Sequence, residues 1–266
     1  MHEEVGDFFV NATGPWADIL RQKVRRGVAP RLRLSRGSHL VIPSSALPIR
    51  EGFLIPRTKD GRVLFALPWL EDTLLVGTTD VEVAEIAREV TVPPEDEEYL
   101  LLHLNEYFRI SPKVEVQARF AGLRALVAER KGSTAKISRR HVIEVWKPER
   151  FLSVLGGKWT TFRKIGEDAI QAIAYTLGIK LPSLEMVETI EPNLSELEKL
   201  KAAYPNPIVR GEPFVEGEVR FWIKRGMAKK PADVVDGRWQ MSFIDQSRAE
   251  KLKRALEQRW CELCCS

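Results

Sequence analysis

The apolar residues of this 266-residue chain change their spacing once, and that change limits what the chain can fold into. Up to about residue 155 they fall mostly in short, strand-length runs bounded by Gly, Pro and Asp. After Pro182 only helical spacing is left. The fold class predicted is α+β: an antiparallel sheet and part of an α/β region over residues 1–182, then a small all-α domain over residues 190–266, with the boundary near 180–195.

Two strand, loop, helix units bracket the first region. Asp7–Asn11 runs into Ala12-Thr13-Gly14-Pro15-Trp16, where Gly-Pro stops a strand and Pro15 suits the first turn of a helix reaching about Arg26. In the second, the strand Phe151–Leu155 meets Gly156-Gly157. A helix follows with Ile165, Ala169, Ile170, Ile173, Ala174 and Leu177 on one face, closed by Gly178. Between the units, apolar runs at Ser38–Ile42, Gly52–Ile55, Arg62–Leu67 and Thr73–Val76, with Asp60-Gly61 and Glu71-Asp72 at hairpin spacing, predict an antiparallel meander. Pro93-Pro94-Glu95-Asp96-Glu97-Glu98 opens a helix carrying Leu101, Leu104 and Phe108, and further strands are predicted at Val114–Phe120 and Val142–Trp146. Beyond Pro182, Ser195-x-x-Glu198 and Ser247-x-x-Glu250 have capping-box spacing, and a helix between Pro213 and Met227 should turn Val219, Trp222 and Ile223 inwards.

Composition narrows the function classes. With 41 basic and 37 acidic side chains the net charge is only +4, which gives no support for a nucleic-acid partner. No apolar run approaches the roughly 18 residues a membrane span needs, and Met1-His2-Glu3-Glu4 has no basic, signal-like start, so a cytoplasmic location is expected. Cys261, Cys264 and Cys265 crowd the last six residues; they cannot staple distant segments and, lacking a second Cys or His pair, do not make a four-ligand zinc site, so no metal is expected.

Five segments carry candidate chemistry. Ala12, Thr13 and Gly14 lie where a strand meets a helix, and a small-residue loop there brings backbone N–H groups close to a phosphate; a purely structural turn uses the same Gly-Pro chemistry. Gly156-Gly157-Lys158-Trp159-Thr160-Thr161 repeats the arrangement with a point charge and two hydroxyls, without the spacing of a P-loop. Gly122-Leu123-Arg124 ends an apolar run in one arginine, which suits bidentate pairing with a phosphate or carboxylate, or with a structural acid such as Glu129. His39, in Gly37-Ser38-His39, is the histidine best placed to orient a ligand, and a structural role fits it equally. Gly77-Thr78-Thr79-Asp80 either caps a turn or lines a pocket.

Taken in order, Asn11-Ala12-Thr13-Gly14-Pro15-Trp16-Ala17, Gly37-Ser38-His39, Leu67-Pro68-Trp69, Gly77-Thr78-Thr79-Asp80, Gly122-Leu123-Arg124 and Gly156-Gly157-Lys158-Trp159-Thr160-Thr161 resemble the FAD-dependent glycerol-3-phosphate dehydrogenases, of the D-amino-acid-oxidase-like flavoprotein superfamily. The resemblance spans residues 10 to about 175 and, more loosely, the helix before Met227. It implies FAD as cofactor, sn-glycerol 3-phosphate as substrate, a quinone acceptor and a peripheral contact with the inner face of the cell membrane. By position it implies that Arg124 and Lys158 bind substrate, with His39 beside them. Ala12 to Gly14 would lie along the flavin, with Gly122 and the loop 156–161 near its ring. The sequence departs from the family in one large respect: no two of its 17 glycines are separated by a single residue, so the G-x-G-x-x-G diphosphate cradle is absent and a complementary N-terminal half is expected to supply it. Ala125 and Phe162 replace a usual Pro and Tyr. Two other readings stay open: a non-catalytic relic that binds a phosphate ligand or a partner, and another oxidase of the superfamily acting on an amine or amino acid.

Overall fold

The computed structural model describes residues 5–87, 89–111, 113–128, 140–182 and 194–264. Its centre is one long strand, β2 (Leu32–Pro43). One edge of β2 pairs with β7 (Ala118–Val127) along almost its whole length, while the other is shared by β5 (Thr73–Gly77) and β6 (Val81–Val83), all antiparallel. β4 (Leu64–Pro68) and β3 (Phe53–Ile55) extend the sheet beyond β5. The expected meander therefore holds only for β3, β4 and β5. β2 is placed centrally by pairing with strands far along the chain, which hydrophobic spacing alone does not encode. Residues 114–117 are not strand, and β7 begins later and runs further than its apolar pattern suggested.

Alternation along β2 gives the sheet two different faces. Leu40 and Ile42 turn to one side with Leu64, Ala66, Leu74 and Val76, and are covered there by Leu100 and Leu104 of α2 (Pro94–Phe108). Burying each such aliphatic side chain contributes about 1.5–3 kcal/mol. Gly37, His39 and Val41 share the other face with Phe120, which is opposite His39, and with Ala118, opposite Val41.

α2 is also held by charge. Asp96, in its first turn, is buried beneath the sheet; its carboxylate accepts from Arg36 (3.0 and 3.2 Å), from the Ser38 hydroxyl and from the Thr79 hydroxyl (3.1 Å). Thr79 Oγ1 in turn accepts from the Ser38 N–H at 3.0 Å. One carboxylate thus joins α2, β2 and the loop between β5 and β6.

A second, three-stranded sheet has the order β1 (Phe9–Asn11), β9 (Phe151–Gly156), β8 (His141–Trp146), with β1 parallel to β9 and β8 antiparallel to it. Each strand of the parallel pair runs into a short 3₁₀ turn, Gly14–Trp16 or Trp159–Thr161, and then a helix, α1 (Ala17–Val24) or α3 (Phe162–Leu177). Both strand, loop, helix units are present, although Ile170, expected on the inner face of α3, is exposed. Buried Asn11 links the units by donating its amide to Ala17 O (2.9 Å) and Ser153 Oγ (3.1 Å). Arg21, 1% exposed, reaches from α1 to Glu144 on β8 at 2.7 Å and pairs with Asp18, whose carboxylate also accepts from the Arg31 and Leu32 N–H groups at the start of β2. Ala17, Val127 and Leu155 pack together where the two sheets meet.

From Leu194 onward the structure is helical: α4 (Leu194–Ala203), α5 (Glu216–Lys224), α6 (Pro231–Val235) and α7 (Gln246–Cys264). Their own core includes Val219, Val234, Met241, Leu252 and Leu256, with Trp222 and Ile223 packed against it as expected. The N-terminus of α7 is capped by Asp245, whose carboxylate accepts from the Arg248 N–H at 3.0 Å. Ser247, the residue that the capping-box pattern nominated, already lies inside the helix. The boundary expected near 180–195 falls largely on residues outside those described, as does Cys265. No helix among the described residues is long and apolar enough to cross a membrane.

Burial opposes ionisation of Asp96, yet the hydrogen bonds from Arg36, Ser38 and Thr79 outweigh it and hold its carboxyl below the ordinary value of 3.8. Its contribution to stability is therefore complete above that value and is lost as the pH falls below it. Asp96→Asn should cost about 3 kcal/mol at neutral pH and flatten the acid limb of stability, read as urea midpoints at pH 7 and at steps from about pH 4 down to 2; an unchanged midpoint at neutral pH would remove Asp96 as the anchor of α2.

Candidate functional site

Arg124 projects from β7 opposite Ser35 and crosses β2 to the far side. There its guanidinium donates to Thr79 O at 3.0 Å and to Thr78 Oγ1 at 2.7 Å. The crossing requires Gly37, because a Cβ at that position would overlap the guanidinium. The Asp96 network fixes Thr79 on its other side, so the loop that orients Arg124 is itself braced from beneath the sheet. Glu129, the acid considered as a partner for Arg124, lies outside the described residues.

His39 stands on the same face, stacked on Phe120 at 5.2 Å and tilted against Phe65 at 5.9 Å. Its Nδ1 is buried and has no hydrogen-bond partner among the described residues. Burial and the nearby Arg124 charge push the imidazole down to about 4, so the ring is neutral at physiological pH. Beside this pair, a Cβ built on Gly122 would stand in open space, so the face between Phe120 and Arg124 has room for a ligand.

The two small-residue loops lie at the carboxyl ends of the adjacent parallel strands β1 and β9, the position where ligands enter open α/β sheets. Ala12 and Thr13 are exposed, and the Thr13 hydroxyl donates to Asn11 Oδ1 at 2.7 Å, which shapes the turn. Gly156 and Gly157 have φ of 70° and 93°, and an added Cβ would come within 2.7 Å of Arg140 O or of Ile165 Cδ1 respectively, so neither position tolerates a side chain. The same Gly156 Cβ would approach Val127 Cγ2 at 2.8 Å and Ala125 O at 3.8 Å, which puts the loop against the end of the strand that carries Arg124. Lys158 and Thr160 are exposed, Trp159 is 85% exposed and stacks on exposed Phe162, and the Thr161 hydroxyl closes the turn onto Lys158 O.

The structure thus brings Arg124 and His39 together on one sheet face and sets the loops 12–16 and 156–161 side by side at its border. Lys158 is on the exposed rim. Asp96 completes the arrangement together with Ser38 and Phe120, whose segments the sequence already marked; Asp96 itself resembles any first-turn acid until its partner strand, some 60 residues away, is in place. The groove between α2 and Ile110, lined by Leu101, Leu102 and Val114, lies behind the opposite face and includes none of these residues.

Residues 2–159 match the family model described as FAD dependent oxidoreductase. The chain is 30% identical over 91% of its length to a probable mitochondrial glycerol-3-phosphate dehydrogenase of Dictyostelium discoideum, of which it covers 44%, and 29% identical over 93% of its length to the human mitochondrial glycerol-3-phosphate dehydrogenase, of which it covers 40%. It therefore spans less than half the length of these relatives. In fold it matches the glycerol-3-phosphate dehydrogenase of Bacillus halodurans, solved with FAD, with a TM-score of 0.73 at 24% identity over 99% of this chain and 59% of that one. The chain belongs to the FAD dependent oxidoreductase family.

Proposed function

We propose that this chain forms the substrate-binding half of a flavin-dependent glycerol-3-phosphate dehydrogenase, converting sn-glycerol 3-phosphate to dihydroxyacetone phosphate and delivering the electrons to a quinone at a membrane surface. The observation that carries the reading is the Arg124 guanidinium, drawn over Gly37 by Thr78 and Thr79 and set beside a neutral His39. The names of the relatives support the substrate.

The residues present fit FAD at one end. Two left-handed glycines followed by the first turn of α3 direct backbone N–H groups and a positive helix end outwards from the end of β9, which favours an anionic ring edge. Ala12, Thr13 and Gly14 would lie along the same cofactor. No G-x-G-x-x-G segment is present, so the proposal assigns the grip on the diphosphate to the half of the relatives that this chain does not match. When bound, the flavin supplies the acceptor for the hydride leaving C2 of the alcohol. Arg124 gives a fixed positive charge to substrate oxygens, where a dianionic phosphate or a developing alkoxide needs it. Lys158 adds a point charge from the rim. The His39 imidazole, neutral and partnerless at Nδ1, offers a ring nitrogen that accepts a hydrogen bond from the substrate hydroxyl and orients it.

Titration calorimetry with glycerol 3-phosphate tests the phosphate site on the chain itself. Wild type should give binding heat; Arg124→Lys should weaken it about 10-fold, since an ammonium cannot reproduce a two-pronged guanidinium contact, and Lys158→Ala by a similar factor. Gly37→Ala should match the Arg124 loss although it removes no charge. Absence of heat in every form would end the substrate assignment. Added FAD should shift its visible absorption on binding, and the complete enzyme should bleach a redox dye with glycerol 3-phosphate; bleaching by an amine or amino acid instead would reassign the chain to another branch of the superfamily.

A further inference from the structure

We infer that the C-terminal helical region completes the His39 site, with Phe243 as a positioning residue that holds the Phe120 ring against the imidazole and keeps water from it. The inference rests on the reading of His39 as part of the substrate site. Phe243 ends the 3₁₀ turn Met241–Phe243, and its ring meets Phe120 edge to face at 5.0 Å and 84°. Phe120 in turn stacks on His39 at 5.2 Å with the rings 16° from parallel. The chain of contacts therefore runs from a helix-region residue through one aromatic ring to the imidazole.

The position of Phe243 is determined from several directions. The Trp69 indole N–H, from the turn after β4, donates to Phe243 O at 3.0 Å. Three residues on, the Gln246 N–H donates to Gln117 O at 3.1 Å and its side-chain amide to Arg119 O at 3.1 Å, on either side of the start of β7. Arg248 then joins Glu71, in the turn between β4 and β5, at 2.6 Å and Glu212 of the helical region at 2.7 Å. None of these contacts is needed for the helical core, which closes on its own apolar residues. Their common effect is to hold the Phe243 ring against the strand that carries Phe120 and Arg124.

The consequence lies at His39. Phe120 shields a ring whose Nδ1 already lacks a partner and whose neutrality depends on exclusion of water and on the neighbouring Arg124 charge. With Phe243 removed, Phe120 gains room to turn away, water reaches the imidazole, and the burial that disfavours its charged form is relieved while Arg124 stays in place.

The experiment is a ring titration of the histidines in the full chain by carbon-edited NMR, with the His39 signal assigned from His39→Gln. In wild type and Phe243→Tyr the His39 ring should stay neutral down to about pH 5. In Phe243→Ala its midpoint should move from about 4 by at least one unit towards 6.5. Phe243→Leu, a milder change, should give a smaller shift in the same direction and serves if the alanine form does not fold. Leu256→Ala weakens the helical core without touching this contact and should leave the midpoint unchanged. A wild-type midpoint in the alanine and leucine variants, or an equal shift in Leu256→Ala, would overturn the inference. The readout needs neither flavin nor substrate, so a failed glycerol 3-phosphate titration would refute the substrate assignment and leave this result standing.

Discussion

The buried carboxylate of Asp96 is the interaction on which the other parts of the site depend. It gathers Arg36 and Ser38 of β2 and Thr79 of the β5–β6 loop around the first turn of α2, so helix, central strand and loop cannot move independently. An unpaired charge at such a place would be costly; with a guanidinium and two hydroxyls it becomes a rigid joint. Thr79, held from below by Asp96, offers its carbonyl to Arg124 above, and the joint beneath the sheet is thereby transmitted to the face where a ligand would lie.

That face is divided between charge and shielding. Gly37 gives the guanidinium passage across β2, while Phe65 and Phe120 enclose the imidazole. A cation and a histidine placed this close drive the imidazole towards its neutral form, and burial acts in the same direction. The resulting pair has two complementary capacities, a permanent positive charge and a neutral ring nitrogen. The loops at the ends of β1 and β9 border the same region, and their exposed Trp159 and Thr160 leave that border open to a cofactor and its remaining contacts.

The helical region contributes to this arrangement as well as to its own core. Arg119 on β7, Gln117 just before it, and Trp69 and Glu71 in the turn between β4 and β5 receive or hold residues between Phe243 and Arg248. These contacts link the last helices to the ring that stacks on one histidine more than 200 residues earlier in the chain.

Local chemistry made much of this legible in the sequence. Gly-Pro after Asn11 and Gly-Gly after Leu155 marked both strand, loop, helix units, and helical spacing with inward Val219, Trp222 and Ile223 marked the last region, because these signals act over a few residues. The ordered motifs from Asn11 to Thr161 pointed to a family that the comparisons bear out. What the sequence by itself determined, then, was the kinds of elements, the glycine break after β9 at 156 and 157, and the candidate side chains Arg124 and His39. Only the tertiary structure decided that β2 is central, that Asp245 rather than Ser247 caps α7, that Asp96 is an anchor and that Phe243 touches the ring covering His39. The physical reason is range: strand partners, buried ion pairs and ring stacks join residues tens to hundreds apart, and their energies appear only once the whole chain has brought those surfaces together.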